Sequence, residues 1–370
     1  NQLAALIGKN AHDRQGCDVV LYGFGRIGRI AARILIEKTG KGQQLLLKGI
    51  VIRGELDKAQ ISKRAELLKT DSTFGPFRGT VEEDIENQCL IINGQKVQLI
   101  SAGKASEIDY TAYGINDAIL IDNTGSSRDR EGLGEHLKAK GIAKVLLTAP
   151  GKEGIPNIVY GINHDEFEID QEEILSAASC TTNAIVPPLK IIDDFFGIEY
   201  GHIETVHSYT NNQNLLDNYH NKYRRGRAAP LNLVITETGA GKAVAKALPK
   251  LAGKLTGNAV RIPTPNGSLA ILNLILKKRA NKEEVNEVIK HHSLFGRLIE
   301  QVEFSENQEL VSSDIIRNTH ACIIDGAATI VSENRKNIIL YVWYDNEWGY
   351  TEQVIRFAKY IAGVERLNYY

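Results

Sequence analysis

The run Asp18-Val19-Val20-Leu21-Tyr22 leads straight into Gly23-Phe24-Gly25-Arg26-Ile27-Gly28-Arg29 and then into an amphipathic stretch, Ile27 to Lys38. A strand, a glycine-rich turn and a helix in that order leave few folds open. The first glycine allows the tight turn, the second lets an anion approach the backbone, and the third permits close packing of the helix. The helix N-terminus then offers unpaired amides and the positive end of a dipole, which suits a pyrophosphate. Gly23, Gly25, Arg26, Ile27 and Gly28 are therefore expected to bind a dinucleotide. Alone the pattern is common; placed between a β-branched run and a helix it is more specific.

The alternation continues. Leu47 to Ile52, Ala118 to Asp122 and Lys144 to Thr148 read as further strands among amphipathic stretches, which predicts a doubly wound parallel sheet of the Rossmann type. Between Thr80 and Ile100 the pattern is hairpin-like, with Asn93-Gly94 as its turn. After Cys180 the runs lengthen: Ile203 to Tyr209, Leu231 to Ile235, Ser268 to Leu276 and Ile338 to Tyr344. These predict a second, α+β unit with a mostly antiparallel sheet and helices such as Lys282 to Lys290 on one side. A chain of 370 residues exceeds one ordinary core. The expected division is an N-terminal extension over 1–16, a dinucleotide-binding domain over 17–179 and a catalytic domain over 180–346. A C-terminal helix over 347–370 is expected to pack back on the first domain. The extension reads as a short apolar patch or the end of a longer upstream segment; the chain carries no methionine, even at position 1.

With 44 basic and 45 acidic residues the formal net charge is −1, so no global field would recruit nucleic acid or an anionic membrane. Anions must be met by local donors. No apolar run approaches the length of a membrane-spanning helix. Cys17, Cys89, Cys180 and Cys322 have the spacing of neither a disulfide framework nor a zinc site, so no metal is expected and a reducing cytoplasm fits best.

Cys180 is set apart by its neighbours, Ser179-Cys180-Thr181-Thr182-Asn183. Hydroxyls and an amide suit a nucleophile better than a core packer. A thiolate needs a base, a cation or a helix N-terminus close by. The stretch Ala184 to Phe196, with Ile185, Val186, Leu189 and Ile192 as its apolar stripe and Gly197 as its stop, predicts such a helix. His207, 27 positions on, is the candidate base.

These segments together closely resemble the glyceraldehyde-3-phosphate dehydrogenase family, from about Asp18 to the C-terminus. The resemblance is carried by Ser179 to Asn183, Thr205-Val206-His207-Ser208-Tyr209-Thr210, Thr238-Gly239-Ala240, Arg261-Ile262-Pro263-Thr264-Pro265-Asn266 and Trp343-Tyr344-Asp345-Asn346-Glu347-Trp348-Gly349-Tyr350. It implies that Cys180 attacks an aldehyde carbon with His207 as base, that the adduct is oxidised to a thioester, and that inorganic phosphate releases an acyl phosphate. Thr210 and Arg261 match donors to the phosphate of glyceraldehyde 3-phosphate. Ser179, Thr181, Thr238 and Gly239 match those for inorganic phosphate. Asn346 resembles the residue that fixes the nicotinamide carboxamide, with Tyr350 beside it, and Thr124, Gly125 and Thr148 match turns lining the cofactor cleft. A homotetramer is implied as well. Two other readings differ in class: the related erythrose-4-phosphate dehydrogenase, and a catalytically silent dinucleotide-binding module that interacts with other macromolecules.

The chain departs from its relatives in places. The loop Asn211 to Arg227 differs from the usual one, which touches the neighbouring subunit's cofactor. Ala184 follows Asn183, so Cys180 has no nearby cysteine partner. At the end of the second strand, Ile52-Arg53-Gly54-Glu55 puts a base where an acid normally holds the adenosine ribose of NAD. Arg53 suits a 2′-phosphate and leans toward NADP, although Glu55 and Asp57 are near enough to replace the acid. The expected cofactor is thus NAD or NADP.

Overall fold

The computed structural model describes residues 16–38 and 45–364. All but the last residue of the expected N-terminal extension, and the end of the C-terminal segment, lie outside the described residues.

The first sheet contains β1 (Cys17–Tyr22), β2 (Leu45–Arg53), β3 (Val81–Asp84), β4 (Cys89–Ile92), β5 (Gln95–Ala102), β6 (Ala118–Asp122), β7 (Ile142–Leu147) and β8 (Ile174–Ser176). Their order is β3-β4-β5-β2-β1-β6-β7-β8. Five pairings are parallel, from β5 through β2, β1, β6 and β7 to β8. The hairpin β4–β5 turns at Asn93-Gly94 and adds an antiparallel edge with β3. The buried runs Val19-Val20-Leu21 and Leu120-Ile121 follow from a sheet covered on both faces. The helices here are α1 (Arg26–Glu37), α2 (Lys58–Lys69) and α3 (Arg130–Leu137). The order reverses beside β1, and in such sheets ligands bind outside the carboxyl ends of the strands at the reversal.

The second sheet is built from β9 (Ile198–Ser208), β10 (Val234–Thr236), β11 (Leu255–Ile262), β12 (Ser268–Leu276), β13 (Val302–Ser305), β14 (Cys322–Asp325), β15 (Ile330–Val331) and β16 (Asn337–Tyr344). It is mostly antiparallel, as expected, with β9–β11 and β13–β14 as its parallel pairs. Helix α5 (Ala240–Ala247) lies on the connection from β9 to β11, which supplies the crossover that a parallel pair requires. Helices α4 (Cys180–Phe196) and α6 (Lys282–Leu294) join α5 against this sheet, where Ile185, Leu189 and Val285 meet Ile203, Leu272 and Leu340 in one core.

The last helix, α7 (Trp348–Ile361), buries Trp348, Val354, Ile355 and Phe357 in the core of the first sheet with Ile30 and Ile34 of α1. The segment just before α7 is thereby held at the edge of the glycine turn.

A candidate active site at the junction of the two sheets

Cys180 is the first residue of α4, four positions before the helix expected from apolar periodicity. Ser179 is the cap: its Oγ accepts the Thr182 amide at 3.0 Å and lies 2.7 Å from Thr182 Oγ1. The Asn183 side chain donates back to the carbonyls of Ala177 and Ser179 at 2.8 and 3.0 Å. Between them Ala178 has φ 55°, a left-handed conformation unfavourable to a residue with a Cβ. The turn is held from outside by Tyr350, whose hydroxyl donates to the Ala178 carbonyl at 2.9 Å.

His207 comes from the end of β9. Its Nε2 is 3.6 Å from Cys180 Sγ. In the parallel register of β9 and β11, Arg261 is the partner of His207, so the guanidinium reaches the imidazole: Nη1 is 2.7 Å from His207 Nδ1 and donates to the Ser208 carbonyl at 2.9 Å. The other wall is the Tyr344 ring, edge-on to His207 at 5.9 Å, with its hydroxyl 3.1 Å from Thr181 Oγ1.

Burial dominates the electrostatics. It raises the Cys180 thiol, against the lowering effects of Arg261 and of hydrogen bonds at Thr181. Burial, then the Arg261 charge, pulls His207 down to about 3. The resting pair is therefore a neutral thiol beside a neutral imidazole. A neighbouring cation opposes any imidazolium until an anion meets it.

Ser179, Thr181, Thr238 and Gly239 line one cavity of about 410 Å³. Glu237 and Thr238 also line a second cavity, of about 660 Å³, together with Arg224 and Arg225. Thr210 is not brought into either: it lies in the loop after β9 and its hydroxyl donates to Asn212 Oδ1 at 2.7 Å. Arg225 was missed by sequence reasoning, yet its charge acts on both His207 and Arg261. The run Arg224-Arg225-Gly226-Arg227, in the loop after β9, was the available signal.

At the glycine turn, Gly23 has φ +94°, and a Cβ there would come within 2.8 Å of Thr124. At Gly28 a Cβ would lie 2.2 Å from the Gly23 carbonyl, whereas space at Gly25 is open. No side chain caps α1, which leaves a cradle fitted to a pyrophosphate on backbone amides. The Arg26 guanidinium is not part of that cradle, being held at 2.6 Å by Asp71 and 2.7 Å by Glu347; Arg26 and Ile27 offer main-chain groups. Asp122, also missed, organises both cleft turns. Its carboxylate accepts the Thr124 amide and hydroxyl at 2.7 Å each, and its carbonyl accepts the Thr148 amide and hydroxyl at 3.0 Å each. Gly125 turns with φ +61°. Asn346 is buried, with Oδ1 accepting from Ser268 at 2.8 Å.

A doubly wound nucleotide unit joined to a thiol–imidazole pair on a second sheet defines a dinucleotide-dependent oxidoreductase. Residues 17–130 match the NAD binding domain of glyceraldehyde 3-phosphate dehydrogenase and residues 179–346 its C-terminal domain. The chain is 56% identical over 364 residues to a glyceraldehyde-3-phosphate dehydrogenase-like protein of Pseudomonas aeruginosa, covering 98% of this chain and 78% of that one. It is 38% identical to the glyceraldehyde-3-phosphate dehydrogenase of Borreliella burgdorferi, over 92% of this chain and 98% of the other. With glyceraldehyde-3-phosphate dehydrogenase 2 of Bacillus subtilis the identity is 39%, over 93% and 96%. The chain belongs to the glyceraldehyde-3-phosphate dehydrogenase family, whose members are NAD(P)-dependent oxidoreductases.

Proposed function

We propose that the chain oxidises the aldehyde of glyceraldehyde 3-phosphate and captures the product as the acyl phosphate 1,3-bisphosphoglycerate. The observation that carries this is the Cys180 thiol on the first turn of α4, 3.6 Å from His207 Nε2, beside a cavity lined by hydroxyls and the α5 N-terminus. Arg261, with Thr210 once its loop turns in, receives the substrate's phosphate. The phosphate neutralises Arg261, which removes the charge that adds to burial in opposing protonation of His207. His207 then takes the thiol proton as sulfur bonds to the aldehyde carbon, returns it to the oxygen, and later withdraws it from that hydroxyl. Hydride acceptance is the chemistry the dinucleotide supplies when bound, and it turns the adduct into a thioester. Asn346, with Tyr350 behind the Ala178 turn, orients the nicotinamide end; the glycine cradle and the turns at Thr124, Gly125 and Thr148 hold the remainder. Inorganic phosphate, held by Ser179, Thr181, Thr238, the Gly239 backbone and Arg225, attacks the thioester carbonyl; the C–O bond forms, the C–S bond breaks and Cys180 leaves as thiolate.

Cytoplasmic location is part of the proposal, supported by four cysteines that are all free; among the described residues no helix is long and apolar enough to cross a membrane. So is a homotetramer. Leu215, Leu216, Tyr219 and Tyr223 in the loop after Thr210 are 71 to 91% exposed, which suits burial against another subunit. Light scattering should give four times the chain mass.

The deciding experiment follows dinucleotide reduction with glyceraldehyde 3-phosphate, with and without inorganic phosphate. Sustained turnover should require phosphate, and without it one turnover should leave acylated Cys180 detectable by mass spectrometry. Cys180→Ser should lose activity by roughly a thousandfold or more while still binding dinucleotide. Retained turnover in that variant would sink the mechanism, and a large preference for erythrose 4-phosphate would move the substrate assignment.

A further inference from the structure

Arg53, the last residue of β2, is exposed and has no carboxylate partner among the described residues; its hydrogen bond runs from Nη2 to Ser126 Oγ at 3.3 Å. The placement is informative. In the parallel register Val51 lies beside Tyr22, so Arg53 projects past the end of β1 next to the Gly23 turn. Ser126 belongs to the turn after β6, on the opposite side of β1. The Arg53–Ser126 bond thus spans the mouth of the glycine turn, where the adenosine ribose of a dinucleotide lies in a doubly wound sheet.

We propose that Arg53 and Ser126 form a receptor for the 2′-phosphate of an adenosine ribose, so that this chain selects NADP over NAD; the inference rests on the dinucleotide-dependent reading above. A guanidinium has five N–H donors and no acceptor, and Ser126 engages one of them. The others are free for a phosphate. Ser126 Oγ acts as acceptor toward Arg53, which leaves its own hydroxyl proton for the same anion. A 2′-hydroxyl, by contrast, needs an acceptor to hold its proton, and the nearby acids are badly placed for that. Asp57 caps α2, accepting the Gln60 amide at 2.7 Å. Glu55 lies beyond the turn at Gly54, where φ is +91° and the carbonyl is tied to Ser101 Oγ on β5 at 2.7 Å.

The test is calorimetric titration of the full chain with 2′,5′-ADP and with 5′-ADP, which carry neither nicotinamide nor aldehyde. The wild type should bind 2′,5′-ADP about tenfold or more tightly than 5′-ADP, the range of one or two charge-assisted hydrogen bonds. Arg53→Gln should abolish the difference and Arg53→Asp should reverse it, with thermal unfolding unchanged because Arg53 is exposed. Glu55→Gln should leave both affinities as they are. Equal binding by the wild type, a preference that survives Arg53→Gln, or a loss of 5′-ADP binding confined to Glu55→Gln would each overturn the proposal. Failure to turn over glyceraldehyde 3-phosphate would leave this readout intact, whereas failure to bind either compound would overturn the dinucleotide reading itself.

Discussion

At the scale of single residues, His207 shows how far the resting site lies from the protonated imidazole that the proposed reaction requires. It faces Cys180, Arg261, the Tyr344 ring and the charge of Arg225. The imidazole ordinarily titrates near 6.5, but in the folded chain only near about 3. Between those values the unfolded chain binds more protons. The stability contributed by the neutral imidazole is therefore complete above about pH 6.5 and is lost progressively as the pH falls toward about 3. The magnitude is on the order of a few kcal/mol. Thermal unfolding of His207→Gln across pH 7.5 to 4 should show a shallower acid decline than the wild type, and parallel curves would mean that His207 is not held neutral. Cys180 and His207 stood out in the sequence because each has distinctive neighbours, and the fold brings them to 3.6 Å. Arg225 and Asp122 were not. An arginine in a polar loop, or an aspartate at a strand end, carries no sequence mark of what it faces.

Elements were legible where period and burial coincide, as in β6 and β12, whose sequence-expected and observed limits agree. Helix α4 began earlier than expected because Cys180, Thr181, Thr182 and Asn183 interrupt the apolar stripe, and the cap at Ser179 lacks the acid that usually completes a capping box. Pro187 and Pro188 sit inside α4 without ending it; both are buried, and packing outweighs the lost amides. Ser179 acts as the α4 cap and also faces the proposed phosphate cavity, and two substitutions separate these roles. Ser179→Ala should cost about 1 kcal/mol of stability through the lost cap. Ser179→Asp should restore that stability, since aspartate caps well and favours a helix N-terminus. Activity should fall further in Ser179→Asp than in Ser179→Ala, because a carboxylate repels both thiolate and phosphate. Denaturation midpoints and kcat/KM for the three proteins check this; an aspartate variant as active as the wild type would remove the anion role.

For the whole molecule, the parallel sheet and the separate second sheet follow from strand–helix alternation, but their junction does not. Arg26, in the glycine turn, meets Glu347 across 321 positions and Asp71 across 45, and Lys38 of the α1 end pairs with Glu352 of α7. Nothing local announces such pairs. Asp345 fixes the start of α7 by accepting the amides of Glu347 and Trp348 at 2.9 and 2.7 Å, which delivers the Glu347 carboxylate into a nearly dry position. Burial raises it to about 7 despite the pull of Arg26, with Asp345 and Asp71 pushing the same way. A carboxyl group that ordinarily titrates near 4.5 thus binds its proton more tightly in the folded chain. Its contribution is most favourable below about pH 4.5 and declines as the pH rises to about 7, after which it is constant. Glu347→Gln should remove that slope while Arg26 keeps its bond to Asp71. Between pH 5 and 8 the variant should lose less thermal stability than the wild type, with the two curves diverging below pH 7 and running parallel above it. Curves parallel throughout would mean that Glu347 is ionised across the range and that the clasp between the glycine turn and α7 is a simple ion pair.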